Sequence, residues 1–111
     1  MNVYHELDES LRRLEATLKA SDMWRVPEPP PQAYQSQQPF CIDTMELPQW
    51  LRFVFISKLD IIIEQESALP DKSEVAPMVE YYLKEQQVKA SKLLLVVRAI
   101  EEVDRVITEN G

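Results

Sequence analysis

Residues 3–20 read VYHELDESLRRLEATLKA, and this stretch decides the fold class. Its four leucines, Leu7, Leu11, Leu14 and Leu18, follow a 4-3-4 spacing that places them on one stripe of an α-helix. Charged side chains occupy many of the positions between them. The pattern predicts a first helix over residues 3–20, with its leucine stripe facing a protein core.

A similar spacing recurs near the carboxyl end of the sequence and predicts a fourth helix over residues 88–109. A shorter third helix is predicted before it, with Pro77 in its first turn and its end near Glu85. Val79, Tyr82 and Leu83 lie on one side of that third helix. The apolar stripe of the fourth helix consists of Leu93, Val96, Ile100, Val103 and Ile107.

The second helix is predicted to begin near Asp43 or Thr44 and to end near Glu66. Either starting residue offers a side-chain oxygen that can cap free backbone amides, and Glu46 lies three residues beyond Asp43. Residues 50–63 contain few polar side chains, so apolar groups cover more than one stripe of this helix. The second helix is therefore predicted to be the centre of the core or part of an interface.

The scarcity of glycine supports a helical reading, since Gly111 is the only glycine and strand-rich folds need this residue for tight turns. Helices with apolar stripes pack most naturally as a bundle. The sequence predicts an all-α protein with a single domain over residues 1–111. We expect a compact four-helix bundle of three long helices and one short one around the second helix, with a long proline-rich loop after the first.

The charge balance bears on the class of partner. There are 12 basic and 19 acidic residues, which give a net charge of −7. This charge repels phosphate backbones and anionic lipid headgroups, so we expect no direct binding to nucleic acid or membranes. The single cysteine, Cys41, forms no internal disulfide and is typical of a reducing compartment, which predicts a cytoplasmic protein.

Catalytic chemistry finds little support in the sequence. One histidine, His5, and one cysteine, Cys41, cannot supply the usual ligands of a zinc site or an activated nucleophile. Among the acidic side chains, helix capping explains Asp43 and Glu46. The other two candidates, Glu28 and Asp60, fit solvent-facing positions. We therefore predict no catalytic residues, no metal and no cofactor. The carboxylates considered for acid–base work are Glu28, Asp43, Glu46 and Asp60.

The loop over residues 23–41 is long for a helical domain, and such loops are commonly functional or disordered. It contains several aromatic residues, and Trp24 and Phe40 are predicted to anchor it against the bundle because burial of large rings is favourable. The prolines at residues 29–31 favour an extended polyproline conformation, which serves either as a stiff spacer or as a ligand for an aromatic groove.

Residues 38–51, QPFCIDTMELPQWL, resemble the YqcC-like family of small bacterial proteins. Trp24-Arg25 followed by Glu28, together with Leu69-Pro70 and Ala76-Pro77, adds to the resemblance. Family members usually have a proline directly after the glutamate of the DTME segment, whereas Leu47 fills that position here. The candidate interaction residues from this motif are Trp24, Arg25, Glu28, Gln38, Pro39, Phe40, Asp43, Thr44, Met45 and Trp50.

The resemblance implies an all-helical fold with no established catalytic residues. It also implies a partner, because genes of this family commonly neighbour the gene for tRNA pseudouridine synthase C. At 111 residues the chain is too short and too helical to contain a synthase domain of its own. The leading hypothesis is thus a non-enzymatic accessory protein that binds another protein through residues 24–45 and the adjoining second helix.

Two alternatives remain open from the sequence. The first is a small-molecule-binding protein or enzyme with a pocket between the loop at residues 23–45 and the bundle. Trp24, Phe40 and Trp50 would line that pocket, together with Glu28 or Asp43. The second is a homodimer that buries the broad apolar surface of the second helix or the seam of the fourth.

Overall fold

The computed structural model describes residues 2–111, and the regular structure of this part of the chain is entirely helical. The predicted all-α fold and its four-helix bundle are confirmed. The first helix has the predicted bounds, and the third begins one residue before Pro77. The four helices are, in chain order, Val3–Ala20, residues 47–65, Ala76–Glu85 and Ala90–Asn110.

The core lies mainly between the first and fourth helices. Leu7, Leu11, Leu14 and Leu18 are completely buried, as their spacing predicts. They face a stripe of branched side chains whose tight packing excludes water, and this burial of apolar surface is the main stabilising term. The residues of the fourth helix that are at most 1% exposed are Val96, Ile100, Val103, Val106 and Ile107.

The second helix is not the centre of the bundle, so that part of the prediction is wrong. The fourth helix holds the central place, because it packs against both the first and the third helices. The second helix contacts the first through its carboxyl-terminal half and leaves Ile61 49% exposed. Its many apolar residues are divided between the core, the preceding loop and solvent, a division that composition alone does not reveal.

The second helix begins at Leu47, later than the predicted start at Asp43 or Thr44. Glu46 is the capping residue, and the Gln49 side chain accepts a hydrogen bond of 2.8 Å from the Glu46 backbone N–H. This reciprocal arrangement is a capping box. Asp43 and Thr44 do not cap the helix, because hydrogen bonds within the loop engage their side chains.

The middle of the second helix, Leu51–Ile56, is a π-helix. The flanking segments Leu47–Trp50 and Ser57–Gln65 are α-helical, and the three segments run on continuously. In a π-helix, residues five apart are joined by hydrogen bonds. Ile56 therefore follows Leu51 on the core side, and both are buried.

A buried carboxylate joins the third and fourth helices. Asp104 of the fourth helix is 9% exposed and accepts a hydrogen bond of 2.9 Å from the backbone N–H of Ala76, the first residue of the third helix. It also accepts one of 2.6 Å from the hydroxyl of Ser73. Since Val75 has no capping side chain, Asp104 caps the third helix from a neighbouring element.

Three helices end in a left-handed residue that is not glycine. Asp22, Glu66 and Gln87 have φ angles of 61°, 49° and 59°. Glycine usually occupies this position, because it has no Cβ atom to strain a left-handed backbone. Val88 makes the backbone hydrogen bond that closes the third helix, so the fourth helix starts at Ala90 and not at the predicted Val88. The closing backbone bonds run from Met23 to Leu18, from Ser67 to Ile62 and from Val88 to Leu83, at 2.9, 3.0 and 3.0 Å.

A Gln87→Gly variant is expected to have a free energy of unfolding about 0.5–1 kcal/mol higher than that of the parent. Glycine adopts the left-handed backbone at this exposed site without the strain that a Cβ atom causes. Urea denaturation measures this difference. Gln86→Gly is the matched control, since Gln86 has an ordinary φ of −82° and should gain nothing. Equal effects of the two substitutions would contradict the assignment of strain to Gln87.

Candidate functional site

The segment between the first and second helices lies against the bundle. Trp24 and Phe40 are partly buried and pack against the core cluster, which confirms their predicted role as anchors. The second helix also holds this segment by hydrogen bonds to its backbone carbonyls. Arg52 donates to the carbonyl of Trp24 at 2.6 Å, and the Gln49 amide donates to that of Pro27 at 2.9 Å.

The proline tract does not form an exposed polyproline ligand. Pro29 is buried, and Pro30 has the extended angles φ −65° and ψ 156°. Pro31 then begins a short 3₁₀ turn, Pro31–Gln35. Within residues 29–31, Pro30 alone is both exposed and outside the turn, and the tract acts as a stiff connection.

The second half of the loop is closed by its own hydrogen bonds. The Thr44 hydroxyl donates to the carbonyl of Ala33 at 2.7 Å, and the Ser36 hydroxyl donates to Asp43. A second 3₁₀ turn, Pro39–Cys41, lies between the bonded residues, so these bonds tie the residues just after it to the end of the first turn. The two motif residues predicted as helix caps thus shape the loop.

Phe40 is fixed in an uncommon conformation at the centre of this loop. Its φ is 59° and that of Cys41 is 48°, both left-handed values that are strained for side chains of their size. The Phe40 ring meets Trp50 edge-on, with ring centres 4.8 Å apart, and Trp50 stacks on Phe55 at 5.4 Å. Such pairs stabilise beyond their buried area and hold the loop in place.

A groove of about 430 Å³ opens beside these rings, and we call it the aromatic groove. It lies between the loop, the second helix and the turn before the third helix. Two lysines, Lys58 and Lys72, also line it. Its main apolar and aromatic lining consists of Tyr34, Phe40, Trp50, Val54, Ile62 and Pro70.

A second groove, of about 870 Å³, lies at the start of the loop, and we call it the basic groove. The Arg52 guanidinium lies 4.3 Å from the centre of the Trp24 ring, and the Lys19 ammonium lies 5.4 Å from it. Both distances are within the range of cation–π attraction. The groove is lined by Lys19, Asp22, Trp24, Arg25 and Arg52.

The predicted single pocket between loop and bundle is therefore wrong in its composition. Phe40 and Trp50 line the aromatic groove, whereas Trp24 lines the basic groove. Neither Glu28 nor Asp43 lines either one. Although the two aromatic anchors contact nearby residues of the second helix, Trp24 meets Arg52 and Phe40 meets Trp50, and these two contacts belong to different grooves.

The remaining motif residues are dispersed. Gln38 lines the aromatic groove and Arg25 lines the basic groove. Met45 is buried, whereas Glu28 and Pro39 are exposed. The motif thus combines residues that shape the loop with residues that face the two grooves.

Several groove residues escaped prediction, notably Arg52 and Lys58. Both are basic residues within the apolar stretch of the second helix, and their positions in the sequence could have indicated that they face a groove. A cation inside an apolar stretch marks the point where the helix surface leaves the core. Tyr34, one of the aromatic residues of the loop, also lines the aromatic groove. Its pKa is raised by partial burial and then by the nearby Glu28 and Cys41.

The acidic candidates are engaged in contacts or exposed. Asp60 has a raised pKa because partial burial outweighs the neighbouring Arg12 guanidinium, with which it forms an ion pair. His5 pairs with Glu9 at 2.8 Å on the first helix. Residues 2–111 contain no group of three His, Cys, Asp or Glu side chains placed to hold a metal ion. Nor does any helix among them combine the length and apolarity needed to cross a membrane.

Comparison with solved structures places the fold among known proteins. The chain is similar over its whole length to the solution NMR structure of protein YqcC from E. coli, with 30% sequence identity and a TM-score of 0.84. The match covers 92% of that chain. An experimentally determined helical fold thus supports the arrangement described above.

Sequence comparison gives relatives of similar and of greater length. An uncharacterized protein of Haemophilus influenzae is 33% identical over 99 residues, which cover 89% of this chain and 92% of the relative. The uncharacterized protein YqcC of Escherichia coli K12 is 30% identical over 111 residues, covering 100% and 99%.

A third relative is named tRNA pseudouridine synthase C, from Pectobacterium carotovorum. It is 34% identical over 70 residues, which make up 63% of this chain but 19% of that protein. The profile of the family described as "DUF446: tRNA pseudouridine synthase C" matches residues 6–103. The chain therefore belongs to the DUF446 family of YqcC-like helical proteins.

Proposed function

We propose that this protein is a non-enzymatic accessory domain that binds tRNA pseudouridine synthase C. The contact is made through the loop at residues 24–45 and the adjoining face of the second helix. Its role is to assist the tRNA-modifying enzyme, and the described residues supply no chemistry of their own to the reaction.

The observation that carries this proposal is the relative in Pectobacterium. There, a segment similar to this chain forms 19% of a longer protein that bears the synthase name. A covalent connection keeps two modules at a high effective concentration. Where the similar module is a separate chain, a non-covalent contact is the means of keeping the two together.

The aromatic groove is the surface best suited to such a contact. Tyrosine and tryptophan dominate the binding energy of protein interfaces when they lie in water-excluding pockets. Tyr34 is 40% exposed at the groove, and Trp50 is held in place by its contacts with Phe40 and Phe55. A rigid aromatic surface loses little conformational entropy when a partner binds.

The chain's net charge of −7 favours encounter with a basic partner, while the charged side chains that line the aromatic groove itself are Lys58 and Lys72. Complementary charge mainly raises the rate of encounter and excludes wrong partners. An enzyme that binds the polyanion tRNA carries basic surface of this kind. The charge thus supplies selectivity, and the groove supplies the lasting contact.

A Tyr34→Ala variant is expected to bind purified synthase C of the same organism at least about tenfold more weakly than the parent, because it removes a groove anchor. Isothermal titration calorimetry measures the Kd directly. Tyr81→Ala is the matched control, since Tyr81 is 63% exposed on the third helix and lines neither groove. Circular dichroism verifies that both variants fold.

Absence of binding between the parent chain and the purified synthase would overturn the proposal. Equal weakening by Tyr34→Ala and Tyr81→Ala would leave the partner but refute the groove as its docking surface. Tight binding of the parent, weakened only at Tyr34, is the supporting result.

A small-molecule function is the second candidate, and the aromatic groove itself favours it. A volume of about 430 Å³ falls within the range of ligand pockets, roughly 300–1,000 Å³. Screening of metabolites by thermal stabilisation tests this reading. A compound that stabilises the parent but not the Tyr34→Ala variant would support it, and the absence of any such compound would count against it.

A further inference from the structure

The basic groove stands out against the acidic character of the whole protein. Three of its five lining residues, Lys19, Arg25 and Arg52, are cationic, and Asp22 is the only carboxylate among them. The chain as a whole has 19 acidic residues against 12 basic ones. Cationic side chains are therefore concentrated in one concave surface, where their fields add.

Arg52 is held in a fixed orientation within this groove. Its Nη1 atom donates to the carbonyl of Trp24 at 2.6 Å, and its guanidinium lies 4.3 Å from the centre of the Trp24 ring. These two contacts leave the remaining N–H donors of the guanidinium available for another acceptor. A pre-oriented arginine loses little side-chain entropy when it binds a ligand.

The two arginines of the groove have no acidic partner. Among residues 2–111, neither Arg25 nor Arg52 forms an ion pair. Lys19, by contrast, pairs with Glu15 at 2.9 Å. Asp22 is directed to solvent, with its side chain 88% exposed and 3.5 Å from Lys92. Two guanidinium charges thus remain uncompensated in one cavity.

We propose that the basic groove binds a phosphate group, either a free nucleotide's monoester or a diester of an RNA strand, through Arg25 and Arg52. The planar donor fork of a guanidinium matches the oxygens of phosphate in a bidentate manner. The groove volume of about 870 Å³ holds more than an isolated phosphate, which leaves space for the sugar and base attached to it. This site is distinct from the aromatic groove, and phosphate binding there needs no partner protein, although Trp24 and Arg25 also belong to the loop at residues 24–45.

The net charge of −7 does not oppose binding of a single phosphate at this place. Charges farther than about 8 Å are largely screened at physiological ionic strength. The two guanidinium groups that line the groove therefore weigh more in the local field than the carboxylates on other faces of the protein, which discourage long contacts with a duplex. The sequence-based expectation of no nucleic-acid binding rests mainly on the total charge, and sequence spacing does not place Arg25 and Arg52 in one groove.

An NMR titration of the full chain tests the proposal. Inorganic phosphate, uridine monophosphate and a single-stranded oligouridylate are added separately, with sodium chloride at equal ionic strength as the reference. We expect saturable shifts of the Trp24 indole N–H and the Arg25 and Arg52 Nε–H signals. Tighter binding of the oligouridylate identifies RNA diesters as the source, and equal or tighter binding of the mononucleotide identifies free nucleotides.

An Arg25→Gln variant is expected to raise the Kd at least about tenfold, since it removes one of two charge-assisted contacts. Arg25 is exposed and makes no side-chain hydrogen bond within residues 2–111, so the fold should persist. Arg98→Gln, an equal charge change at an exposed site on the fourth helix, is the control and should leave the Kd unchanged. Absence of saturable shifts with all three probes, or equal weakening by both variants, would overturn the proposal.

Discussion

An Ile100→Ala variant is expected to have a free energy of unfolding about 3–4 kcal/mol lower than that of the parent. Ile61→Ala should change the free energy of unfolding by less than about 0.5 kcal/mol. Ile100 is completely buried at the centre of the fourth helix, and Ile61 is 49% exposed on the second helix. Truncation at Ile100 removes apolar contacts and leaves a cavity that the tightly packed neighbours fill only in part.

Urea denaturation followed by circular dichroism measures both variants against the parent. The comparison uses the same chemical change twice, so differences in intrinsic helix preference cancel. For a domain of this size, the Ile100 variant should also melt about 10–20 °C lower. A larger loss at Ile61 than at Ile100 would show that the second helix is the centre of the core.

The second large effect is expected at Asp104. An Asp104→Ala variant should lose about 2–4 kcal/mol of unfolding free energy, because it leaves the Ala76 N–H and the Ser73 hydroxyl without their acceptor. The lost bonds involve a carboxylate and are stronger than bonds between neutral groups. They also cap the third helix, whose first residue is buried.

Urea denaturation again gives the difference in stability, with Glu101→Ala as the control. Glu101 is an exposed carboxylate one turn earlier on the same helix, so its removal should cost little. Asp104→Asn keeps an acceptor oxygen of similar shape and should lose about half as much as Asp104→Ala. If Asp104→Ala were no more destabilised than Glu101→Ala, the capping role would be disproved.

The candidate site was predictable in its parts but not in its assembly. The aromatic residues Trp24 and Phe40 indicated a loop packed on the bundle, because rings of that size gain strongly from burial. Their separation into two grooves depended on where the loop crosses the second helix. That path is set by Arg52 and Gln49, whose bonds to loop carbonyls have no signature in sequence spacing.

The start of the second helix shows the same limit on a smaller scale. The predicted cap was Asp43 or Thr44, with Glu46 three residues beyond Asp43. Hydrogen bonding to Ser36 and a turn through Cys41 bind Asp43 into the loop, so Glu46 takes the cap. Side-chain hydrogen bonds between residues several positions apart therefore moved the cap from the predicted Asp43 or Thr44 to Glu46.

The sequence by itself determined the helical elements, because the 3.6-residue period of their apolar side chains is a local property of the chain. The first helix and the stripe of the fourth followed directly from it. Only the tertiary structure decided which helix lies at the centre, that Asp104 caps a neighbouring helix, and that two arginines with no ion pair among residues 2–111 share one groove. Those features arise from contacts between residues distant in sequence, and their energy depends on burial and orientation that no single segment specifies.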